Sequence, residues 1–131
     1  ILGDLLKVEE YTYIDLEEVN ELIKKFLSYY KIDFSTKFAT LNTNDLENND
    51  LFISNYSFSE LPRNLQKKAL NKVVKSSKSG FMIINSENFS KEYRFMTKEE
   101  YKNLFSNYEI KEEEPQTSHD NLNYVYKFIN D

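Results

Sequence analysis

Four side chains have the chemistry to hold a ligand or move a proton from a position beside a strand end: Asp15, Asp45, Glu60 and His119. Asp15 closes the β-rich stretch YTYID and precedes a helical pattern. A carboxylate there can accept from two vicinal hydroxyls, as an acid at a strand end does for a ribose. With Glu18 three positions on, Asp15 equally fits a helix cap. Asp45, in NTNDL, can accept from an adenine amino group and is as ordinary in a turn. Glu60 can act as a general base or take a bond from a substrate hydroxyl; it is also a favourable charge just before a helix. His119 is the only imidazole, a group that titrates near neutrality without perturbation, and its plain reading is a solvated surface residue. Glu60 ends the stretch LFISNYSFSEL, residues 51–61, where a continuous apolar run passes straight into hydroxyls, aromatics and an acid. An ordinary connector is built from Gly, Pro, Asn or Asp, so this one reads as a surface made to touch something.

The elements that must position these residues alternate between strand and helix. Residues 11–15 and 36–41 read as strands, separated by an amphipathic helix over 16–30 with Val19, Leu22, Ile23, Phe26, Leu27 and Tyr30 on one face. Residues 1–8 read as the last turns of a helix. Residues 50–56 and 80–85 read as buried strands, joined by a helix with Pro62 at its first position and Leu65, Ala69, Leu70, Val73 and Val74 facing inward. A helix capped by Thr97 and Glu100 follows, then strands 108–113 and 122–129. The alternation implies a parallel sheet. The last two strands must be antiparallel, because the eight residues 114–121 are too few for a crossover. Ligands bind outside the carboxyl ends of strands in such a sheet. That rule selects Asp15 and Leu16, the segment from Asn42 to Asp45, that from Asn55 to Glu60, that from Asn85 to Asn88, and the loop holding His119. KEEEP, over 111–115, reads as a solvated, negative strand end.

The chain has 131 residues, 40% of them hydrophobic, enough for the core of a single domain over 1–131. Its net charge is −5, and its 15 lysines occur singly or in pairs without forming a stripe in the sequence, which argues against a nucleic-acid partner. No stretch has the length and apolarity of a membrane span or a signal peptide. The lack of Cys leaves no disulfide framework and fits a cytoplasmic setting; with a single His it also argues against a structural zinc site, and no metal is expected.

The segment DLFISNYSFSELPRNLQKKALNKVV followed by SGFMIIN resembles the middle of the sugar O-methyltransferase family. These are S-adenosylmethionine-dependent enzymes of the Rossmann-like class, often found in bacterial surface-polysaccharide gene sets. YTYIDLEEVNELIKKFL resembles their acidic strand end and helix, and YEIKEEEPQTSHDNLNYVYKF the antiparallel pair that closes a methyltransferase sheet. The resemblance implies an α/β fold: a Rossmann-like methyltransferase sheet, mostly parallel with a terminal antiparallel pair, in three layers. It implies O-methyl transfer to a sugar hydroxyl, with a glycan or nucleotide-sugar substrate. Asp15 would hold the cofactor ribose, Leu16 pack on adenine, Asp45 reach the adenine edge, and Asn55 and Tyr56 line the methyl region. Glu60, favoured by the resemblance, or His119, favoured by its chemistry, would deprotonate or orient the acceptor. The family carries a Gly-rich turn after its first strand, whereas Gly stands here only at positions 3 and 80. The resemblance therefore implies an N-terminally incomplete domain, with a gap or rearranged pairing between strands 11–15 and 50–56. A nicotinamide-binding domain and a non-catalytic or degenerate α/β module are the alternatives.

Overall fold

The computed structural model describes residues 7–46, 48–85, 98–104, 107–117 and 123–130. The expected helix tail at the start lies outside them except for Lys7 and Val8, as do Thr97 and His119. Contacts divide the chain into two compact units, Ile1–Asp45 and Leu46–Asp131.

In the first unit, β1 (Glu10–Ile14) and β2 (Ser35–Ala39) form a two-stranded parallel sheet, with Tyr13 opposite Phe38. Their rings stack at 5.4 Å, and the Lys24 ammonium lies 5.1 Å from the Phe38 centroid. Helix α1 (Glu17–Leu27) connects the strands, with Glu17 and Glu18 in its first turn and Lys24 and Lys25 in its last, the arrangement its dipole favours. It ends three residues before the expected boundary, where the Ser28 hydroxyl donates to the Lys25 carbonyl at 2.7 Å. Val19, Ile23 and Leu27 are partly covered, but Leu22 and Phe26 remain 66% and 58% exposed. Two strands about 4.8 Å apart make a sheet narrower than the apolar stripe of this helix, so part of the stripe overhangs.

In the second unit, β3 (Leu51–Asn55), β4 (Ser79–Asn85), β6 (Asn123–Ile129) and β5 (Tyr108–Glu112) form a four-stranded sheet in that spatial order. β3 and β4 are parallel, and β6 is antiparallel to both β4 and β5. The expected antiparallel relation of the last two strands holds. β6 is nevertheless an inner strand, inserted between β4 and β5, which the hairpin logic of the sequence did not reveal. β1 and β3 belong to different sheets, as the expected gap requires. The described chain is thus a mixed α/β structure with two sheets.

Three short helices follow β3: α2 (Ser57–Glu60), α3 (Arg63–Ala69) and, after β4, α4 (Lys98–Lys102). Pro62 is the cap of α3 and not its first residue. The α3 axis continues through a π-helical turn, Leu70–Val74, closed by the Lys75 amide donating to the Leu70 carbonyl at 2.9 Å. One face of β4 and β6 (Met82, Ile84, Tyr126 and Phe128) is buried together with Phe58, Leu70, Val73, Val74 and Tyr101 from the helices. Phe58, Tyr101 and Tyr126 join helix to sheet through tilted rings 6.0 and 5.7 Å apart. On the second face Phe81, Ile83 and Val125 are only half-buried.

Gly80 faces Phe128 across the β4–β6 ladder, and a Cβ at position 80 would overlap the Phe128 ring. Both residues are buried, so the ring has little room to retreat. Gly80→Ala should lower stability by about 1–3 kcal/mol through overpacking. Urea unfolding would check this, and Phe128→Leu in the same chain should recover part of the loss. An unchanged midpoint for Gly80→Ala would show that the ring moves freely.

Candidate functional site

Two strand ends carry the residues that the sequence selects. At the carboxyl end of β1, the Asp15 amide donates to the Ala39 carbonyl at 3.1 Å, extending the β1–β2 ladder by one bond. Its carboxylate is exposed, and Oδ1 accepts from the Leu16 amide at 2.8 Å. The capping-box expectation for Asp15 and Glu18 fails. Leu16 is the cap residue of α1, and no side chain caps the helix there. Asp15 lies one residue too early for its side chain to bond the second or third helical amide. Leu16 is 68% exposed and presents an apolar flank beside the acid. Asp45 is exposed, with a backbone φ of 60°, and its carbonyl accepts from the Lys37 ammonium at 3.3 Å.

Asn20, which no sequence signal marked, braces the β1 end. It is only 4% exposed, and its Nδ2 donates to the Ala39 carbonyl at 2.8 Å and more weakly to the Asp15 carbonyl at 3.5 Å. Its Oδ1 is buried without a donor. The exposed Asp15 carboxylate beside the Leu16 flank has the acceptor chemistry that the ribose end of a nucleoside cofactor would require. The methionine end finds no Gly-rich turn in this sequence. Among the described residues no cluster of His, Cys, Asp or Glu could hold a metal ion.

At the end of β3, Tyr56 takes a left-handed backbone, φ 63° and ψ −39°. A bulky residue there costs on the order of 1–3 kcal/mol and persists only where its surroundings over-determine it. They do so here. The Tyr56 amide donates to the Ile83 carbonyl at 2.8 Å, while its own carbonyl accepts from the Ser59 amide at 2.8 Å and the Ser59 hydroxyl at 2.7 Å. Ser54 Oγ lies 3.1 Å from Ser57 Oγ and accepts from the Phe58 amide at 3.0 Å. Buried Gln66 donates to the Ser59 and Leu61 carbonyls at 3.2 and 2.8 Å, and its Oε1 accepts from Tyr101 at 3.3 Å. The hydroxyls of residues 51–61 therefore hold the turn itself, which corrects their reading as a contact surface. Asn55 and Glu60 remain exposed at this end.

Tyr56 also anchors a network that sequence reasoning missed. Its phenol donates to Glu113 Oε1 at 2.6 Å. Glu113 Oε2 accepts from the Thr117 hydroxyl at 2.6 Å, the Thr117 amide at 3.2 Å and Asn123 Nδ2 at 3.0 Å. Hydrogen bonds from Thr117, Tyr56 and Asn123 hold the Glu113 carboxyl down at about 2. The bond to Glu113 in turn raises the Tyr56 phenol above its ordinary value. Glu113 is thus a saturated acceptor, not the solvated charge that KEEEP suggested, and Tyr56 is a fixed donor that keeps its proton at neutral pH. Asn123 Oδ1 and Gln116 Oε1 lie buried beside the network without donors. Only the tyrosine was legible in sequence, because Glu113 is 57 residues away from it. No family model matches this chain, and no curated protein matches it.

The Glu113 carboxyl is depressed in the folded state, so its contribution to stability is complete above the unfolded-state value, about 4.3. It is lost as pH falls through about 2. The parent protein should therefore lose more stability than Glu113→Gln between about pH 5 and 2. Denaturant midpoints for both proteins across that range would check this. Parallel curves would mean that the carboxylate network adds nothing to folding.

Proposed function

We propose that this chain is part of an S-adenosylmethionine-dependent O-methyltransferase that acts on a sugar hydroxyl during bacterial surface-polysaccharide modification, built on a Rossmann-like sheet. The observation that carries the reading is β6, which runs antiparallel to both neighbours beside a parallel β3–β4 pair. That is the closing arrangement which the resemblance implies, and one that counts against a nicotinamide-binding domain.

The cofactor would supply an electrophilic methyl group, open to in-line displacement by an alcohol oxygen. The chain's own residues then divide the remaining work. Asp15 accepts from the ribose hydroxyls, Leu16 covers one side of the adenine, and Asp45 takes the adenine edge. Asn55 and Tyr56 line the methyl region. Tyr56 does so as a rigid wall, since its phenol is committed as a donor to Glu113. The proton leaving the sugar hydroxyl needs an acceptor. Glu113 is unsuited, because its oxygens are already occupied and it binds a proton only near pH 2. Glu60, exposed at the end of α2, is the acceptor we favour, and His119 is the alternative. A non-catalytic α/β module is the second reading. It is favoured by the internal use of the Ser54, Ser57 and Ser59 hydroxyls.

Calorimetric titration of the complete protein should show S-adenosylmethionine binding and no comparable NAD binding. Asp15→Ala should weaken the cofactor by roughly 2–3 kcal/mol, about 30- to 150-fold, and Asp15→Asn should recover part of this. Binding of neither compound would favour the module. If methyl transfer is observed, Glu60→Gln should lower turnover by about 10²–10⁴ and leave cofactor affinity unchanged. A silent Glu60→Gln with a crippled His119→Ala would move the base to His119.

A further inference from the structure

Among the described residues, the large apolar side chains that remain exposed are concentrated around α1. Five of the eight, Leu16, Leu22, Phe26, Tyr29 and Tyr30, lie on it or at its ends. Leu22, Phe26 and Tyr29 follow the helical period at i, i+4 and i+7. The turn continues past Leu27, because the Tyr29 and Tyr30 amides donate to the Phe26 and Leu27 carbonyls at 3.1 and 3.0 Å. The Phe26 and Tyr30 rings meet at 4.9 Å. The other side of the helix is fixed to β2, by Asn20 on the Ala39 carbonyl and by Lys24 over the Phe38 ring. Exposed apolar and aromatic groups gathered on a braced element mark an interaction surface.

The charges beside the stripe indicate what it fits. Glu18 and Lys25 are both exposed and stand seven residues apart, so they occupy nearly the same angle on the helix, at one flank of the stripe. Glu21 and Lys24 pair with each other, whereas Glu18 and Lys25 have no ion pair among the described residues. A point on the axis between Glu21 and Leu22 lies about 5 Å from the level of each. A two-fold through that point would bring a second α1 alongside in the opposite direction. Same flank then meets same flank, so Glu18 faces Lys25 of the partner subunit, and symmetry makes the contact twice. Leu22 packs on Leu22 of the partner subunit, and Phe26 lies towards Val19 of the partner subunit. Read backwards, the sign pattern of the flank is its own complement, as an isologous contact requires.

We propose that the exposed stripe of α1 is a self-association surface, on which a second copy of this chain docks with its own α1 antiparallel. A foreign protein would have to supply the reversed order of charges, which a second copy supplies by symmetry. With Glu17, Glu18 and Glu21 against Lys24 and Lys25, α1 is not drawn to an anionic bilayer or a nucleic acid. The apolar contact supplies the affinity, and the two rim pairs fix the direction. One face of an 11-residue helix offers well under the area of a standard interface, about 1,600 Å², so the association is weak and reversible.

Sedimentation equilibrium of the complete protein over a wide concentration range tests this. The parent should pass reversibly from monomer to dimer, with a dissociation constant on the order of 10–100 μM. Leu22→Gln, an exposed site given a helix-favouring residue, should weaken the dimer about tenfold or more, since the lost burial counts in both copies. Glu18→Lys alone and Lys25→Glu alone each set like charges opposite one another at two symmetric contacts. Each should weaken the dimer about tenfold at low salt, and less at high salt. An equimolar mixture of those two chains should recover the dimer, because each supplies the charge that the other needs. If circular dichroism shows either to be misfolded, Glu18→Gln and Lys25→Gln replace them; each should weaken the dimer less, and their mixture should recover one of the two pairs. A parent that stays monomeric at every concentration overturns the proposal and leaves the stripe to a different partner. So does a dimer that Leu22→Gln leaves intact, or a mixture that associates no better than either chain alone.

Discussion

The reversal of the backbone at Tyr56 is the constraint on which the second unit depends. A strand that ends in a left-handed tyrosine must have its amide, carbonyl and ring all held, and each is held by a different part of the chain. The amide belongs to β4 through Ile83, the carbonyl to α2 through Ser59, and the phenol to the β5–β6 end through Glu113. Gln66 and Tyr101 extend the brace into α3 and α4. One residue therefore couples nearly every element of the unit, and the stretch rich in serine exists to keep it in place.

The β4–β6 register carries this constraint across the sheet. Gly80 opposite Phe128 lets a large ring fill the space where a second Cβ would stand. The same ladder ends with Asn85 opposite Asn123. A slip of one residue would turn every β6 side chain to the other face. It would bury Lys127 and carry the Asn123 amide away from Glu113. The polar network at one end of the sheet is thereby secured by an apolar fit near the other.

Much of this was legible in the sequence, for reasons that separate what was read from what was missed. The run Leu51-Phe52-Ile53, the helix period of 16–30 and the shortness of the 114–121 loop are local signals, and the strands, the helix and the antiparallel pair follow from them. α2 was invisible because four residues are too few to show a period. The overhang of Leu22 and Phe26 was invisible because sheet width is not written in a helix. The candidate residues divide the same way. Asp15, Asn55 and Glu60 were found by position at strand ends. Glu113, Asn123, Gln66 and Asn20 were missed because a polar residue that bonds within the fold has the same letter as a solvated one. Their partners are set by strand register and helix packing, not by spacing along the chain.

The π turn at Leu70–Val74 marks a place where the chain holds one residue more than a plain helix needs. Deleting a single residue there would let the ladder close in α-helical register without breaking the helix. The segment that follows would rotate by about 100° relative to the one before it. Ser77 and the Val74 carbonyl, which now meet Asn130 at 2.7 and 3.1 Å, would turn away from it. The seam is therefore an indel hot spot with a phase attached: length can change there at small local cost, but only if the end of β6 is rewritten to match. Homologues that lack the bulge should differ at position 130 as well, a covariation between a missing residue and a distant asparagine that substitution patterns alone would overlook.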